Sequence, residues 1–404
     1  MARPGGKGTM VRPGLWRLAP EFVTKPWGLV HGDALRFTGI EVGLGEIWLA
    51  SAQTGPGNYS NTVADPALRR TLAELLAEAD GALDELLGAR VCAHLDGNPH
   101  RGKTEAWYIR ATEGRTGVAA GPRTEEAAGR LQHIIRTEGL PPDVERWSDD
   151  VRRLFGLVEP LKGGEVFLAP AGTLHTMFAV GPESRLIIDE IQQGYGESRL
   201  PTLTKILAVQ NDLLSVQVHP GDATVAAAAS GEMEVDQDLQ ANPTVRIYDF
   251  GRRPGEHPEL GFRLVDPGGG LRRVAPVAVE LEEGRTIEVM VADPHFTKNR
   301  FTLKSGATAG LGLIYGSYRI MHCLKGEAEL SAASRAMPVR RGDTVFVPAC
   351  LEEELRITAA TDCAYFDDAF PDVAVLSKFL GTHGVSASRI ESLLAPPRAL
   401  EAGS

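Results

Sequence analysis

Apolar residues recur at helical spacing in two stretches of the chain, and nearly everywhere else they alternate in short runs. In "ADPALRRTLAELLAEADGALDELLG", Leu68, Leu72, Leu75, Leu76, Ala79 and Leu83 form the stripe of an amphipathic helix. Asp65 is placed to cap it, Pro66 to fill its first position and Gly88 to stop it. "RTEEAAGRLQHIIRTEG" predicts a second helix from Thr124 to Gly139, with two acids in its first turn where the helix dipole favours them. A shorter helix is expected from Ser148, in "SDDVRRLF". Helical segments therefore fall near 65–88 and 124–155. The remainder reads as short strands punctuated by Gly and Pro, which predicts a mainly β, antiparallel sandwich or barrel partly covered by those helices.

At 404 residues the chain has room for two or three cores. "DPGGG" at 266–270 is the best linker, dividing 1–270 from a strand-rich block at 271–404. Across that division "GGEVFLAPAGTLH" (163–175) is echoed by "RGDTVFVPACLEE" (341–353), and only the first copy ends in histidine. A formal net charge of -11 argues against nucleic acid or an anionic membrane as partner, but not against one small anion in a locally positive pocket. Four cysteines without paired spacing make neither a disulfide scaffold nor a zinc knuckle. No apolar run is long enough for a signal core or a bilayer span, so a cytoplasmic location is the expectation. Nothing in the sequence bears on oligomeric state.

Three segments carry candidate chemistry. In "LLSVQVH", strand alternation puts Leu213, Ser215, Gln217 and His219 on one face and Leu214, Val216 and Val218 on the other. Alone, this reads equally well as a strand with a solvated face. In "GKTEAWYI", Lys103, Glu105 and Trp107 oppose Thr104, Ala106 and Tyr108; alone, it reads as a surface ion pair. "GEVFLAPAGTLH" matches the second cupin motif, G-x5-P-x-G-x2-H, at Gly164, Pro170, Gly172 and His175. That likeness, with its echo, implies two cupin (jelly-roll) β-barrels, the first with a helical portion and a metal motif, the second without a metal motif. Pooled, Gln217, His219, Glu105 and His175 offer two imidazoles, a carboxylate and an amide, a set that suits one Zn2+ per chain. With neutral histidines the centre would carry net +1, which favours a substrate oxygen that becomes anionic during reaction.

Taken with "KPWG" (25–28), "GEIWLAS" (45–51), "DEIQQ" (189–193) and "VRIYDFGR" (245–252), these segments resemble type I mannose-6-phosphate isomerase, the phosphomannose isomerases. The resemblance spans most of the first 252 residues. It implies Gln217, His219, Glu105 and His175 as zinc ligands, Arg252 as active-site arginine, Lys103 as pocket lysine, and Glu190, Trp27 and Ser215 as further pocket residues. It also implies a sugar phosphate as partner and interconversion of mannose 6-phosphate and fructose 6-phosphate through an enediol. The base stays open between a zinc-bound water, Glu190 and a histidine. A non-catalytic sugar-phosphate-binding cupin and a metal-dependent cupin enzyme acting on another sugar are the competing readings. One departure matters: the "QVHP" segment precedes "GKTE" in the family and follows "DEIQQ" here. Cys92 and His94, two apart in "ARVCAHLDG", occupy the position that Gln217 and His219 vacate. Either pair could complete a strand-borne site; the fuller apolar reverse face of "LLSVQV" favours Gln217 and His219.

Overall fold

The computed structural model describes residues 13–394 apart from 30–43, 56, 66–68, 80–81, 100, 196–197, 231–243 and 253–255. In chain order the first strands are β1 (Trp16–Leu18), β2 (Glu21–Val23), β3 (Glu46–Ala50), β4 (Glu105–Ala120), β5 (Leu157–Val158) and β6 (Val166–Ala169). Then follow β7 (His175–Gln193), β8 (Thr202–Gln210), β9 (Asp212–Leu213), β10 (Val216–Val218), β11 (Val245–Tyr248) and β12 (Arg272–Val274). Further along are β13 (Val277–Leu281), β14 (Arg285–Asp293), β15 (Phe296–Leu303), β16 (Thr308–Ala309) and β17 (Arg319–Lys325). The last are β18 (Glu327–Ala332), β19 (Arg335–Arg340), β20 (Thr344–Val347), β21 (Arg356–Ala359) and β22 (Cys363–Ala369). The fold is mainly β, and its sheets are antiparallel as the alternation predicts.

One sheet runs β12-β6-β4-β7-β8-β3-β2, with β5, β9, β10 and β11 attached to its side. A second runs β1-β20-β17-β22-β15-β14-β13, and a third runs β16-β21-β18-β19. Strand β1 comes from the start of the chain yet pairs with β20, Trp16 opposite Phe346. The two stretches that echo each other in sequence both contain a strand, β6 and β20.

The helices differ from expectation at several places: Ala89–Gly97, Asp222–Ala229, Pro258–Leu264, Val373–Thr382 and Ala387–Leu394 are helical outside the expected segments. Among the described residues, the first begins at Leu72 (α1, Leu72–Glu78), capped by Thr71 and not by Asp65; Pro66 lies outside the described residues. Thr71 and Glu74 make a reciprocal capping box there, a stronger start than a lone aspartate. Two more helices follow, α2 (Leu83–Leu87) and α3 (Ala89–Gly97). Helices α4 (Glu125–Thr137) and α5 (Asp149–Phe155) start at Thr124 and Ser148, whose hydroxyls accept from Ala127 and Val151 N–H groups. They pack with Leu213, Val216 and Val218 in one apolar cluster.

Period-two alternation decides what the β4-β7-β8 strands face. Ala106 and Ile191 join Val289, Val291 and Met321 in the largest core, so one face of this sheet packs on the C-terminal strands. Glu105, Glu190, Gln192 and Lys205 project from the other face into a cavity.

Candidate functional site

Three strands and a turn bring the candidate ligands together. Glu105 opens β4, opposite Ala169 of β6 and Gln192 of β7. His175 opens β7, opposite Gln217 of β10 and also Ala120 at the far end of β4. A ribbon whose two ends meet has to curl, and register shifts at Ile109/Ala111 and Glu113/Arg115 provide the bends. The segment read as one strand through His219 is two shorter ones, with a register shift at Val216/Gln217, and His219 lies just beyond the second. Its turn is fastened from two sides. The Gly172 N–H donates to the His219 carbonyl at 2.7 Å, and the Lys103 N–H to the Pro220 carbonyl at 3.1 Å. Gly102 lies so close to this turn that a Cβ would run into the Pro220 oxygen, so only glycine fits there. Asp222 completes the fastening, accepting from the Gly102 N–H at 2.7 Å and Gln193 Nε2 at 3.0 Å.

One ligand atom from each of Glu105, His175 and His219, all buried, lies within 4.8 Å of the others. Glu105 Oε1 is 2.5 Å from His219 Nε2 and 3.6 Å from His175 Nε2. The His175 Nδ1–H donates to the Thr173 carbonyl at 3.0 Å, which leaves the Nε2 lone pair facing the cluster. The Gln217 amide nitrogen sits 3.2 Å from that Nε2; a half-turn of the amide would present its oxygen instead. Lys103 Nζ lies 3.3 Å from His219 Nε2 and 3.5 Å from Glu105 Oε1.

Burial, then Lys103, pull His219 down to about 4, and burial pulls His175 down as well, so both rings are neutral near neutral pH. Burial alone would raise the Glu105 carboxyl, but Lys103 and His219 together hold it well below the usual carboxylate range. Glu105 Oε1 faces both imidazole nitrogens and the Lys103 ammonium, and near neutral pH the two rings are in the protonation state that ligation requires. The donor set fits a borderline divalent cation such as zinc.

Glu105 and Gln217 line a cavity of about 410 Å³, a size suited to a small polar ligand. Lysines and glutamates alternate along its wall. Lys25 is 3.1 Å from Glu46, Lys205 is 3.3 Å from Glu190, and Lys103 is 4.0 Å from Glu190. Burial and the neighbouring Glu105 push Glu190 up to about 7, against the pull of Lys205 and Lys103. Burial would likewise raise Glu46, but Lys205 and Lys25 outweigh it and hold this carboxyl at about 2.

Lys103, Glu190, Trp27, Ser215 and Arg252 all line this same cavity. Ser215 Oγ donates to Asp249 Oδ1 at 2.6 Å. Arg252 does not offer the bare positive charge expected of it: it donates to Asp212 at 2.9 Å and to Asp249 at 3.0 Å. Sequence reasoning missed Lys205, Lys25, Glu46, Arg246 and Tyr195, which share the wall. For Lys205 a signal existed, since it is the lone charged residue in the apolar run "TLTKILAV".

Cys92 and His94 do not lie on a strand. They sit on α3, where i, i+2 spacing turns side chains to different sides of the helix. Burial and Asp84 push the Cys92 thiol up to about 12, and His94 packs on Phe370 at 4.8 Å and His295 at 5.8 Å. Neither belongs to the Glu105–His175–His219 cluster.

No protein-family model and no curated protein matches the chain. Solved structures do. Mannose 6-phosphate isomerase from Bacillus subtilis is 18% identical, with 88% of this chain and 99% of that chain covered at a TM-score of 0.56. A single-site mutant of phosphomannose isomerase from Salmonella typhimurium is 12% identical, with 87% and 98% covered at a TM-score of 0.50. The chain has the fold of these isomerases. At such identities the likeness is one of fold, and the chemistry rests on the residues.

Proposed function

We propose that the protein is a metal-dependent aldose–ketose isomerase of a phosphorylated hexose, interconverting mannose 6-phosphate and fructose 6-phosphate. The observation that carries this reading is the buried Glu105–His175–His219 cluster opening on a cavity walled by alternating lysines and glutamates. Glu105, His175 and His219, with Gln217 as fourth donor, would hold one zinc, which when bound supplies Lewis-acid polarisation of the sugar oxygens. The proton moved between adjacent sugar carbons needs a group that both holds and releases it near neutral pH, and Glu190 suits that task. Lys103 and Lys205 flank Glu190 and orient it. Arg252 keeps Asp249 and Ser215 in place at the wall. We read residues 1–270 as the catalytic cupin unit and 271–404 as a cupin-like unit without a metal motif, with β1 and β12 each lent across that division to the other unit's sheet.

A coupled assay on mannose 6-phosphate with zinc-loaded protein tests this reading. Turnover is expected, lost on chelation and regained when zinc is restored. Arg252→Ala should lower kcat/KM by about a hundredfold, the scale of misplacing the wall residues it holds; unchanged kinetics would take Arg252 out of the site. Fully metallated wild type without turnover would favour a sugar-phosphate-binding cupin.

A further inference from the structure

The strand that carries Lys205 has a second, opposite face, and that face is gripped by the C-terminal strands. On β8, Lys205 and Leu207 point into the cavity, while Thr202 and Thr204 point away from it. Thr204 Oγ1 donates to Asp368 Oδ2 on β22 at 2.9 Å. Lys298 Nζ on β15 holds both oxygens of the same carboxylate, at 2.9 Å and 2.8 Å. Thr202 Oγ1 makes a second contact of 2.8 Å with Tyr318 OH. Thr204, Lys298 and Asp368 are each 1% exposed.

Burying an ion pair so completely is expensive and is a poor source of stability compared with apolar packing. What it gives is geometry: a carboxylate fixed by one ammonium accepts from one hydroxyl in one position. Thr204 stands opposite Ile191, and the next residue, Lys205, stands opposite Glu190. A shift of β8 at Thr204 therefore moves Lys205 relative to Glu190 at the cavity.

We infer that the Lys298–Asp368–Thr204 clamp is a positioning device for the catalytic cavity, through which the C-terminal strands set the placement of Lys205 against Glu190. This rests on the isomerase reading for its kinetic readout. The group touches no substrate, so its residues are positioning residues and not catalytic ones.

Asp368→Ala would strand a buried lysine and could stop folding, so the decisive variant is Thr204→Val, which keeps the shape and removes only the donor. In the zinc-loaded full chain it should lower kcat by about tenfold, the scale of a sub-ångström misplacement far from the chemistry. Zinc content and KM should stay within twofold, and Thr204→Ser should restore kcat. A purely structural contact would lower the melting temperature and leave kcat unchanged; that result would overturn the inference. If wild type binds zinc but shows no turnover, the isomerase reading fails on its own. Crystal structures of wild type and Thr204→Val are then compared, where a Lys205–Glu190 separation lengthened from 3.3 Å supports the clamp and an unchanged one overturns it.

Discussion

His219→Ala should leave the purified protein with almost no bound zinc, while His94→Ala should leave its zinc content unchanged. The asymmetry follows from placement. His219 Nε2 lies 2.5 Å from Glu105 Oε1 inside the only cluster of three potential metal ligands among the described residues. His94 lies on α3 against Phe370 and His295. Changing a residue that merely orients a ligand typically costs 10–100-fold in metal affinity, so losing a ligand itself should cost more than about a hundredfold. The loss of Lewis-acid assistance, several kcal/mol, should lower turnover on mannose 6-phosphate by on the order of a thousandfold. Elemental analysis and the coupled assay on both variants decide the matter. A zinc-free His94→Ala beside a fully loaded His219→Ala would reverse the assignment.

How much of this could be read beforehand depended on whether a residue's neighbours were close in sequence. Glu105, His175, Gln217 and His219 were visible because each sits in a short segment whose alternation or turn residues point one way. Helix α3 was not, because "ARVCAHLDG" is short and its i, i+2 pair invites a strand reading. Yet Val91 and Leu95, at helical spacing after Leu87, pack in one cluster with it. Lys205 was passed over because "TLTKILAV" reads as a strand buried on both sides, and such strands hide what each face meets. Of the two ion pairs on Arg252, the one to Asp249 lies within "VRIYDFGR", whereas the other was hidden because Asp212 arrives from a different segment. For the same reason the clamp on Thr204 could not be foreseen: it joins residues that only the sheet-on-sheet packing brings together.

The second large effect is on stability and lies away from the cavity. Arg319 is fully buried on β17 and donates from Nε to Glu352 at 2.6 Å and from a terminal nitrogen to Asp367 at 2.8 Å. Glu352 also accepts the backbone N–H groups of Tyr315, Gly316 and Ser317, so it shapes the loop on which the Arg319 guanidinium and the Tyr315 ring stack. That loop meets the helical segment, where the Tyr318 N–H donates to the Leu87 carbonyl and Arg90 donates to the Tyr315 carbonyl. Arg319→Met keeps most of the volume but leaves two buried carboxylates without their cation, and burial already pushes Asp367 upward. Breaking a buried pair from one side costs about 3–5 kcal/mol, and that loss is expected in chemical denaturation. Arg319→Lys should recover only part of it, because an ammonium cannot reach both carboxylates with the fork that the guanidinium offers. Zinc content of the folded fraction should not change, since none of these groups is a candidate ligand. A loss below about 1 kcal/mol for Arg319→Met, the range of an exposed pair, would mean that water reaches this network and that it contributes little to holding the Tyr315–Ser317 loop.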